Sequence, residues 1–368
     1  MSVALGSYAA AESMPVFLGT SASPSSEGIY FTRLDSESGK LEPSRLVAEM
    51  RGPGWVERHP TLDVLYAAGK LDGVDVVAAY RVIDLTDKPK STPELELIAS
   101  VPVGDGGACH VSVHPGGAML LSAQYGGGSV AAYRLADDGS IVSQTQRIDH
   151  GPGSGVVPRR QKDAHAHWTG FSPDAKRAYV PDLGCDRVFV YEVDADAASM
   201  TRRGAAEAIP GGGPRHMKFS TDGKYAYVLN ELDVSLSVFK VGDDGMMQRI
   251  QTLPAVEKDE LDTLIFKSAS EVRVHPDGEH VYSATRGHDT ITVYRRGDGG
   301  QLSVVQRIPV RGATPRNFAL SPAADWMLAG GQKSNTLSVF KIESDGRLTF
   351  NEQVITTPSP ICVLFWDR

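Results

Sequence analysis

The stretch "DAHAHWTGFSPDAKRAYVPDLGCD", residues 163–186, decides the fold. A short apolar run, a Pro/Asp turn and a second, alternating run predict a tight antiparallel hairpin. Two histidines come just before this hairpin, and an acidic, glycine-containing loop comes just after it. The polar chemistry therefore lies at the outer ends of the hairpin, and almost none of it lies at the turn.

The same pattern recurs along the chain as a repeated unit. Most hairpins are followed by a third strand, such as "RVFVYEV", then by a second turn and a weaker fourth strand. Four strands at a period of roughly 50 residues predict a β-propeller blade. The six hairpins are "ERHPTLDVLYAAG" from residue 57, "SVHPGGAMLLSAQ" from 112, "GFSPDAKRAYVPD" from 170, "KFSTDGKYAYVLN" from 218, "RVHPDGEHVYSAT" from 273 and "ALSPAADWMLAGG" from 319.

The two chain ends supply the remaining blade. "PVFLGT" and "GIYFTRLDSESGKLE" look like second and third strands, whereas the C-terminal "SPICVLFW" looks like a first strand. Joining them in one sheet closes the ring, so we predict an all-β, seven-bladed β-propeller with four-stranded antiparallel blades. It should form one domain over residues 15–368, after a flexible segment at residues 1–14. No long stretch has the 3.6-residue periodicity that a mixed α/β fold requires.

Composition narrows the classes of partner. The 368 residues carry a formal charge of -8, with a pI near 5.7, which argues against nucleic acid. No apolar run approaches the ~20 residues needed to span a membrane, and the N-terminus lacks a secretory signal pattern. The three cysteines are scattered, which suits a reducing cytoplasm. We expect a cytoplasmic monomer or weak homodimer in which a local positive cluster attracts any anionic substrate.

The propeller topology predicts where the functional residues lie. In an up-and-down blade, successive turns alternate between the two faces of the disc, so the entries to first strands and the loops after second strands share one rim. Histidines, arginines and acids concentrate at those positions, whereas the opposite face shows mostly turn residues. This asymmetry predicts a site for a small anion, with candidates His110, His165, His167, His216, Arg187, Arg215, Arg286, Arg316, Asp182, Asp186 and Glu231.

Other interpretations of these residues remain open at this point. His165 and His167 are two apart on a strand and face the same side, but no third metal ligand is evident, so we expect no metal and no cofactor. Either histidine could instead bond a neighbouring blade. Arg215 and Arg316 could form inter-blade salt bridges with an acid such as Asp182, and Glu231 could pair with an arginine. The chain has no Gly-x-Ser-x-Gly or His-Glu-x-x-His motif.

A family resemblance rests on "CHVSVHP", "YGGGSV", "HAHWTGFSPD", "DLGCDRVFVY", "GPRHMKFSTDGKYAYVLNEL", "EVRVHPDGEHVYSATRG" and "PRNFALSP". These stretches resemble the bacterial lactonase family of seven-bladed propellers, whose type activity is 6-phosphogluconolactonase. A more distant similarity is to fungal 3-carboxy-cis,cis-muconate cyclase, in which a histidine, a glutamate and two arginines act at the channel mouth. By motif, the counterparts are His165 or His167, Glu231, Arg215 and one of Arg286 or Arg316.

The resemblance implies a lactonase that opens a sugar lactone, above all 6-phosphoglucono-1,5-lactone of the pentose phosphate pathway. His165 or His167 would activate water as the base, with Glu231 orienting it or acting itself, and Arg215 would stabilise the oxyanion. The alternatives are a cycloisomerase of the muconate cyclase type, another aldonolactonase, or a non-catalytic binding scaffold. The expected substrate-binding residues are His110, Asp182, Arg187, His216, Arg286 and Arg316.

Overall fold

The computed structural model describes residues 13–86 and 90–367. The described residues form seven four-stranded antiparallel sheets, which confirms the predicted seven-bladed β-propeller. The only other regular elements in this part of the chain are one short helix, α1 (Lys258–Asp262), and a 3₁₀ turn at Asp298–Gly300. The predicted N-terminal segment lies outside the described residues except for its last two positions, which belong to strand β1.

The strands are assigned to blades in chain order. Blade 1 contains β1 (Ser13–Thr20), β2 (Gly28–Asp35) and β3 (Arg45–Glu49). Blade 2 contains β4 (Arg51–Arg58), β5 (Val64–Leu71), β6 (Val74–Ile83) and β7 (Glu94–Pro102). Blade 3 contains β8 (His110–Val113), β9 (Met119–Gln124), β10 (Ser129–Leu135) and β11 (Ile141–Asp149). Blade 4 contains β12 (Gly170–Phe171), β13 (Arg177–Asp182), β14 (Arg187–Asp194) and β15 (Ser199–Glu207). Blade 5 contains β16 (Pro214–Phe219), β17 (Tyr225–Asn230), β18 (Ser235–Val241) and β19 (Met247–Pro254). Blade 6 contains β20 (Ser268–Val274), β21 (His280–Arg286), β22 (Thr290–Arg296) and β23 (Leu302–Pro309). Blade 7 contains β24 (Pro315–Leu320), β25 (Trp326–Gly331), β26 (Thr336–Ile342) and β27 (Leu348–Thr356). The last strand, β28 (Pro360–Phe365), returns to blade 1.

The chain ends close the ring as the sequence predicts. Strand β28 pairs antiparallel with β1, with Leu364 opposite Phe17 and Val363 opposite Leu18. The backbone N–H of Trp366 adds a bond to the carbonyl of Pro15 at 2.9 Å. Because the first strand of blade 1 comes from the C-terminus, unfolding of either end would open the ring.

The hairpin turns repeat one hydrogen-bond pattern. In blade 4, the Ser172 hydroxyl donates to Asp174 at 2.6 Å and accepts from the backbone N–H of Arg177 at 3.0 Å. In blade 5, Ser220 forms the same two bonds, with Asp222 and with the N–H of Tyr225. The hairpin turns are therefore stabilised locally by the Ser-x-Asp sequence itself, which explains why they are legible from the sequence.

Neighbouring blades are joined by buried tyrosines of their second strands. The hydroxyl of Tyr66 donates to the carbonyl of Gly139 in the next blade at 2.7 Å. Tyr179 and Tyr282 form the equivalent bonds to the Gly245 and Gly346 carbonyls. Each acceptor glycine has a positive φ of 75–82° in the turn between third and fourth strands, a conformation that glycine adopts at little cost.

Burial follows the position of each strand within its blade. The second strand of blade 3, β9, is buried over its whole length because blades pack on both of its faces. The fourth strand, β11, alternates largely between exposed and half-buried residues because it forms the outer edge of the disc. The short first strands line the central channel, so their entries and the loops after the second strands meet at one mouth.

Candidate active site at one mouth of the channel

Glu231 is the centre of a charged cluster at this mouth. It directly follows strand β17 and is only 5% exposed. Its carboxylate accepts from Arg215 Nε at 2.9 Å and from Arg160 Nη2 at 2.8 Å, and Arg286 Nη2 lies 3.1 Å away. These arginines come from the entry to β16, the loop before β12 and the end of β21. One carboxylate therefore contacts guanidinium groups from three separate parts of the chain.

Arg215 is fixed by a chain of hydrogen bonds behind it. Its Nη1 donates to His216 Nε2 at 2.8 Å and also to the Ser270 carbonyl. The other ring nitrogen of His216, Nδ1, is 3.1 Å from the Glu271 carboxylate, which also accepts from the Asn317 amide. This chain crosses blades 5, 6 and 7, so Arg215 is held in place by three neighbouring sheets.

Arg316 differs from the other three arginines. It is half-buried at the start of β24, and no residue of the described chain accepts a hydrogen bond from its guanidinium or forms an ion pair with it. It nevertheless lies near enough to Arg215 and Arg286 for its charge to lower their pKa values. Arg316 thus carries an unneutralised positive charge beside the cluster, which is the arrangement an anionic ligand requires.

The cluster is strongly positive. Burial, together with the charges of Arg316 and Arg286, lowers the pKa of Arg215 to about 9, so it remains protonated at neutral pH. Burial alone would raise the pKa of Glu231, but Arg286 and Arg215 outweigh it and hold that pKa well below its usual range. Arg160, Arg215 and Arg286 all contact the ionised carboxylate of Glu231, and Arg316 lies close to Arg215, so positive groups outnumber this carboxylate at the channel mouth.

Two histidines and a tyrosine form the adjacent wall. The ring of Tyr125 stacks on His165 at 4.5 Å between centroids and meets His167 edge-on at 5.2 Å. His165 Nδ1 is 2.7 Å from the Tyr125 carbonyl oxygen, to which it donates. The Tyr125 hydroxyl accepts from Arg160 at 3.1 Å. Tyr125 therefore links the histidine pair to the arginine cluster.

Of the two histidines, His167 is the one that lies beside the carboxylate of Glu231. It is 4% exposed, and its Nε2 lies 3.9 Å from the Glu231 carboxylate. Burial first, and then the charge of Arg215, lowers the pKa of His167 well below its ordinary value. His167 is therefore neutral at neutral pH, and a proton that it accepts there would face the carboxylate of Glu231.

The remaining candidates lie outside this cluster. Asp182 is fully buried and accepts from His150 Nδ1 at 2.6 Å and from the backbone N–H of His165 at 2.8 Å. It therefore supports the His165 segment and forms no salt bridge with any arginine of the described residues. Arg187 is largely exposed and pairs with Glu207 at 3.0 Å, on the two outer strands of blade 4.

His110 and Asp186 are also enclosed by protein. The ring of His110 packs on Trp55 at 4.0 Å deeper in the channel. Asp186 accepts four hydrogen bonds, from Ser154, Gln161 and the backbone N–H groups of Gly211 and Gly213. These four contacts fix the loops beside the cluster.

The structure adds two residues that the sequence reasoning did not select, Tyr125 and Arg160. Arg160 lies in the segment 150–169 between β11 and β12, which contains no strand and is the longest connection before a first strand in the described chain. Long loops at a channel mouth are often functional, so loop length was the available signal. Tyr125 carried no comparable signal.

Fold and geometry together define a closed propeller with an arginine-rich cluster at one channel mouth. The chain belongs to the lactonase family of seven-bladed β-propellers, which it matches over residues 15–365. It is 32% identical to the 6-phosphogluconolactonase of Bacillus subtilis, over 95% of this chain and 97% of that protein. Among solved structures, a Lactobacillus plantarum protein matches with a TM-score of 0.88 at 26% identity, over 96% of this chain and 100% of that one. The periplasmic gluconolactonase of Pseudomonas aeruginosa matches with a TM-score of 0.87 at 29% identity, over 96% and 99%.

Two further expectations concern membranes and metal ions. No helix in residues 13–86 and 90–367 is long and apolar enough to cross a membrane. Within the same ranges, no three His, Cys, Asp or Glu side chains form a group that could hold a metal ion. The cytoplasmic location and the oligomeric state expected from the sequence stay predictions.

Proposed function

We propose that this protein hydrolyses a phosphorylated sugar lactone, 6-phosphoglucono-1,5-lactone, to 6-phosphogluconate. The observation that carries the proposal is the convergence of Arg160, Arg215 and Arg286 on Glu231, with the unpaired Arg316 beside them. Family membership and the similarity to a protein named 6-phosphogluconolactonase support the reaction class. The unneutralised charge of Arg316 favours a substrate with an anionic group.

In this proposal His167 is the general base. Its neutral ring takes a proton from water as the water oxygen attacks the lactone carbonyl, and the resulting imidazolium is stabilised by Glu231 at 3.9 Å. The ester bond to the ring oxygen then breaks, and the same proton passes to that oxygen. His165 fills a different role, because its donation to the Tyr125 carbonyl and its stacking hold it as a wall of the site.

Three arginines have separate tasks. Arg215, which is rigidly held by Glu231 and His216, stabilises the oxyanion that forms on the carbonyl oxygen. Arg316, which has no protein partner among the described residues, binds the phosphate. Arg286 keeps Glu231 in position, since its Nη2 is already bonded to the Ala269 carbonyl at 3.0 Å and to Glu231.

The direct test is a pH-stat assay that compares 6-phosphoglucono-1,5-lactone with unphosphorylated glucono-1,5-lactone, after subtraction of spontaneous hydrolysis. We expect a clear preference for the phosphorylated lactone. A preference for gluconolactone would move the assignment toward the activity named for the Pseudomonas relative. Rates no faster than buffer on both, with consumption of 3-carboxymuconate, would replace the lactonase by a cycloisomerase.

Replacement of Arg316 by methionine tests the phosphate contact. Because a hydrogen bond to a charged group contributes about 1.5–3 kcal/mol, KM for the phosphorylated lactone should rise by about 10- to 100-fold. The KM for gluconolactone should hardly change. Arg187→Met is the matched control, since Arg187 is exposed and paired with Glu207. An equal rise in KM for both lactones would show that Arg316 does not bind the phosphate.

The pH dependence of kcat/KM tests the base. Since burial and Arg215 lower the pKa of His167, its neutral form persists as the pH falls through the ordinary histidine range. We therefore expect kcat/KM to stay level between about pH 8 and the ordinary histidine pKa of about 6.5, and to fall only below that pH. A midpoint at or above the ordinary value, measured on gluconolactone to avoid phosphate ionisation, would contradict His167 as the base.

A further inference from the structure

A second cavity opens at the opposite mouth of the channel. Its volume is about 340 Å³, and it lies beside the hairpin-turn prolines Pro115 and Pro173, on the face away from Glu231. Charged side chains from three first strands enter it, namely Glu57 of β4, Lys218 of β16 and Arg273 of β20. A cavity of this size falls at the lower end of the range for small-molecule sites.

Aromatic rings separate this cavity from the cluster at the other mouth. Within the channel, the ring of His110 lies 4.0 Å from Trp55, 5.5 Å from Trp168 and 5.7 Å from His216. Trp55, His110 and Trp168 also line the cavity. Because neither Glu231 nor an arginine of the cluster at the other mouth lines this cavity, a molecule bound in it would not touch Glu231.

The wall of the cavity contains polar atoms that lack partners. His110 Nε2 and Trp168 Nε1 are buried, and neither forms a hydrogen bond with any residue in the described ranges. Buried polar atoms are nearly always satisfied by protein, water or ligand. These two atoms therefore indicate that the cavity accommodates something polar.

Lys218 is the main charge without a partner in this cavity. Its ammonium group lies 5.2 Å from the centroid of the Trp168 ring, and it forms no ion pair or hydrogen bond with the described part of the chain. Burial, and after it the charge of Arg273, lowers the pKa of Lys218 to about 8, while the charges of Glu271 and Glu57 act in the opposite direction. An anion in the cavity would add the direct ion pair that Lys218 does not form with the described residues.

Glu57 and Arg273 complete the polar lining. The Glu57 carboxylate accepts from the adjacent backbone N–H of Arg58, at 3.2 Å, and no cation of the described residues lies within 4.0 Å of it. Arg273 is oriented by the Phe318 carbonyl at 3.2 Å and by Glu271 at 3.5 Å. The cavity thus offers two cations and one acceptor that do not satisfy one another.

We propose that this cavity is a second binding site, which takes a small hydroxy-carboxylate. The carboxylate of the ligand binds Lys218 and Arg273, a hydroxyl donates to Glu57, and the apolar face of its carbon chain packs on Trp168. Glu57 disfavours simple dianions such as phosphate, because its carboxylate would repel them. This site is independent of the lactone-hydrolysing function proposed for the other mouth.

Titration with D-gluconate, a six-carbon hydroxy-carboxylate, tests the site by calorimetry and by tryptophan fluorescence. Two of the four tryptophans of the chain, Trp55 and Trp168, line the cavity. We expect saturable binding with a fluorescence change, no binding of the uncharged polyol D-glucitol, and weaker binding of inorganic phosphate. Gluconate that fails to saturate at millimolar concentrations, or glucitol that binds equally well, would overturn the proposal.

Variants locate the binding and separate it from the other mouth. Lys218→Met should weaken gluconate binding about 10- to 100-fold, as expected for loss of a charged contact, and should leave lactone hydrolysis unchanged. Arg316→Met, at the other mouth, should leave the fluorescence-detected binding unchanged. If Lys218→Met does not fold, Glu57→Gln provides the second test, because it should remove the discrimination against phosphate. Binding that is lost in Arg316→Met but kept in both cavity variants would place gluconate at the lactone site and refute the second site.

Discussion

Glu231→Gln is expected to lower the kcat of lactone hydrolysis by more than about 100-fold and to destabilise the fold. Glutamine keeps the shape of the side chain but removes its charge, so Arg215 and Arg286 are left buried without a counter-charge. Breaking a buried ion pair by removing one partner typically costs about 3–5 kcal/mol. Urea denaturation measures the stability loss, and the pH-stat assay measures the activity of the folded fraction.

The matched control for this variant is Glu207→Gln. Glu207 also pairs with an arginine, but both side chains are largely exposed, at 71% for Glu207 and 48% for Arg187. Exposed ion pairs contribute at most about 1 kcal/mol, so this variant should behave like the wild type. If both variants unfold at the same urea concentration as the wild type, Glu231 does not hold the cluster together.

His167→Gln is expected to lower kcat by about 10²- to 10⁴-fold, which is the usual contribution of a general base. Glutamine can occupy the space of the ring and can donate hydrogen bonds, but it cannot accept a proton near neutral pH. Steady-state kinetics on both lactones measures this loss. The fall of kcat/KM at acidic pH should disappear in the same variant, and a purely structural role would not have that effect.

His165→Gln is the comparison for this experiment, because His165 lies on the same segment and also contacts Tyr125. The loss of this hydrogen bond should destabilise the His165→Gln variant by about 1 kcal/mol. Its KM should rise by less than about tenfold, and its kcat should be largely kept. A larger loss of kcat in His165→Gln than in His167→Gln would reverse the assignment and make His165 the base.

The position of the charged cluster followed from the sequence, whereas its internal pairing did not. Arg215, Glu231 and Arg286 occur at equivalent ends of strands in two neighbouring blades, so topology alone places them at one mouth. Which arginine meets Glu231 depends on side-chain directions across blades, and the structure shows that Arg160 also does so. The sequence reasoning missed Arg160 because it lies in a loop that no repeat aligns.

The buried partners of Asp182 and His216 show the same limit. Asp182 pairs with His150, which lies 32 residues earlier in the sequence, and His216 faces Glu271, which lies 55 residues later. Neither partner follows from the repeat, because blade-to-blade contacts depend on how two twisted sheets pack. The placement of Lys218 and Glu57 in one cavity is equally invisible in the sequence, since each residue lies in an ordinary first strand.

The sequence by itself determined the number of blades, the closure of the ring by the two chain ends and the mouth at which polar residues gather. These features depend on local hairpin chemistry such as the Ser172 and Ser220 turns, which a short stretch of sequence encodes completely. Only the tertiary structure decided that Glu231 contacts three arginines, that Arg316 has no protein partner among the described residues and that the rings of Trp55, His110 and Trp168 line a second cavity. Those outcomes depend on distances of a few ångströms between distant strands, which are set by the packing of whole blades and not by any one segment.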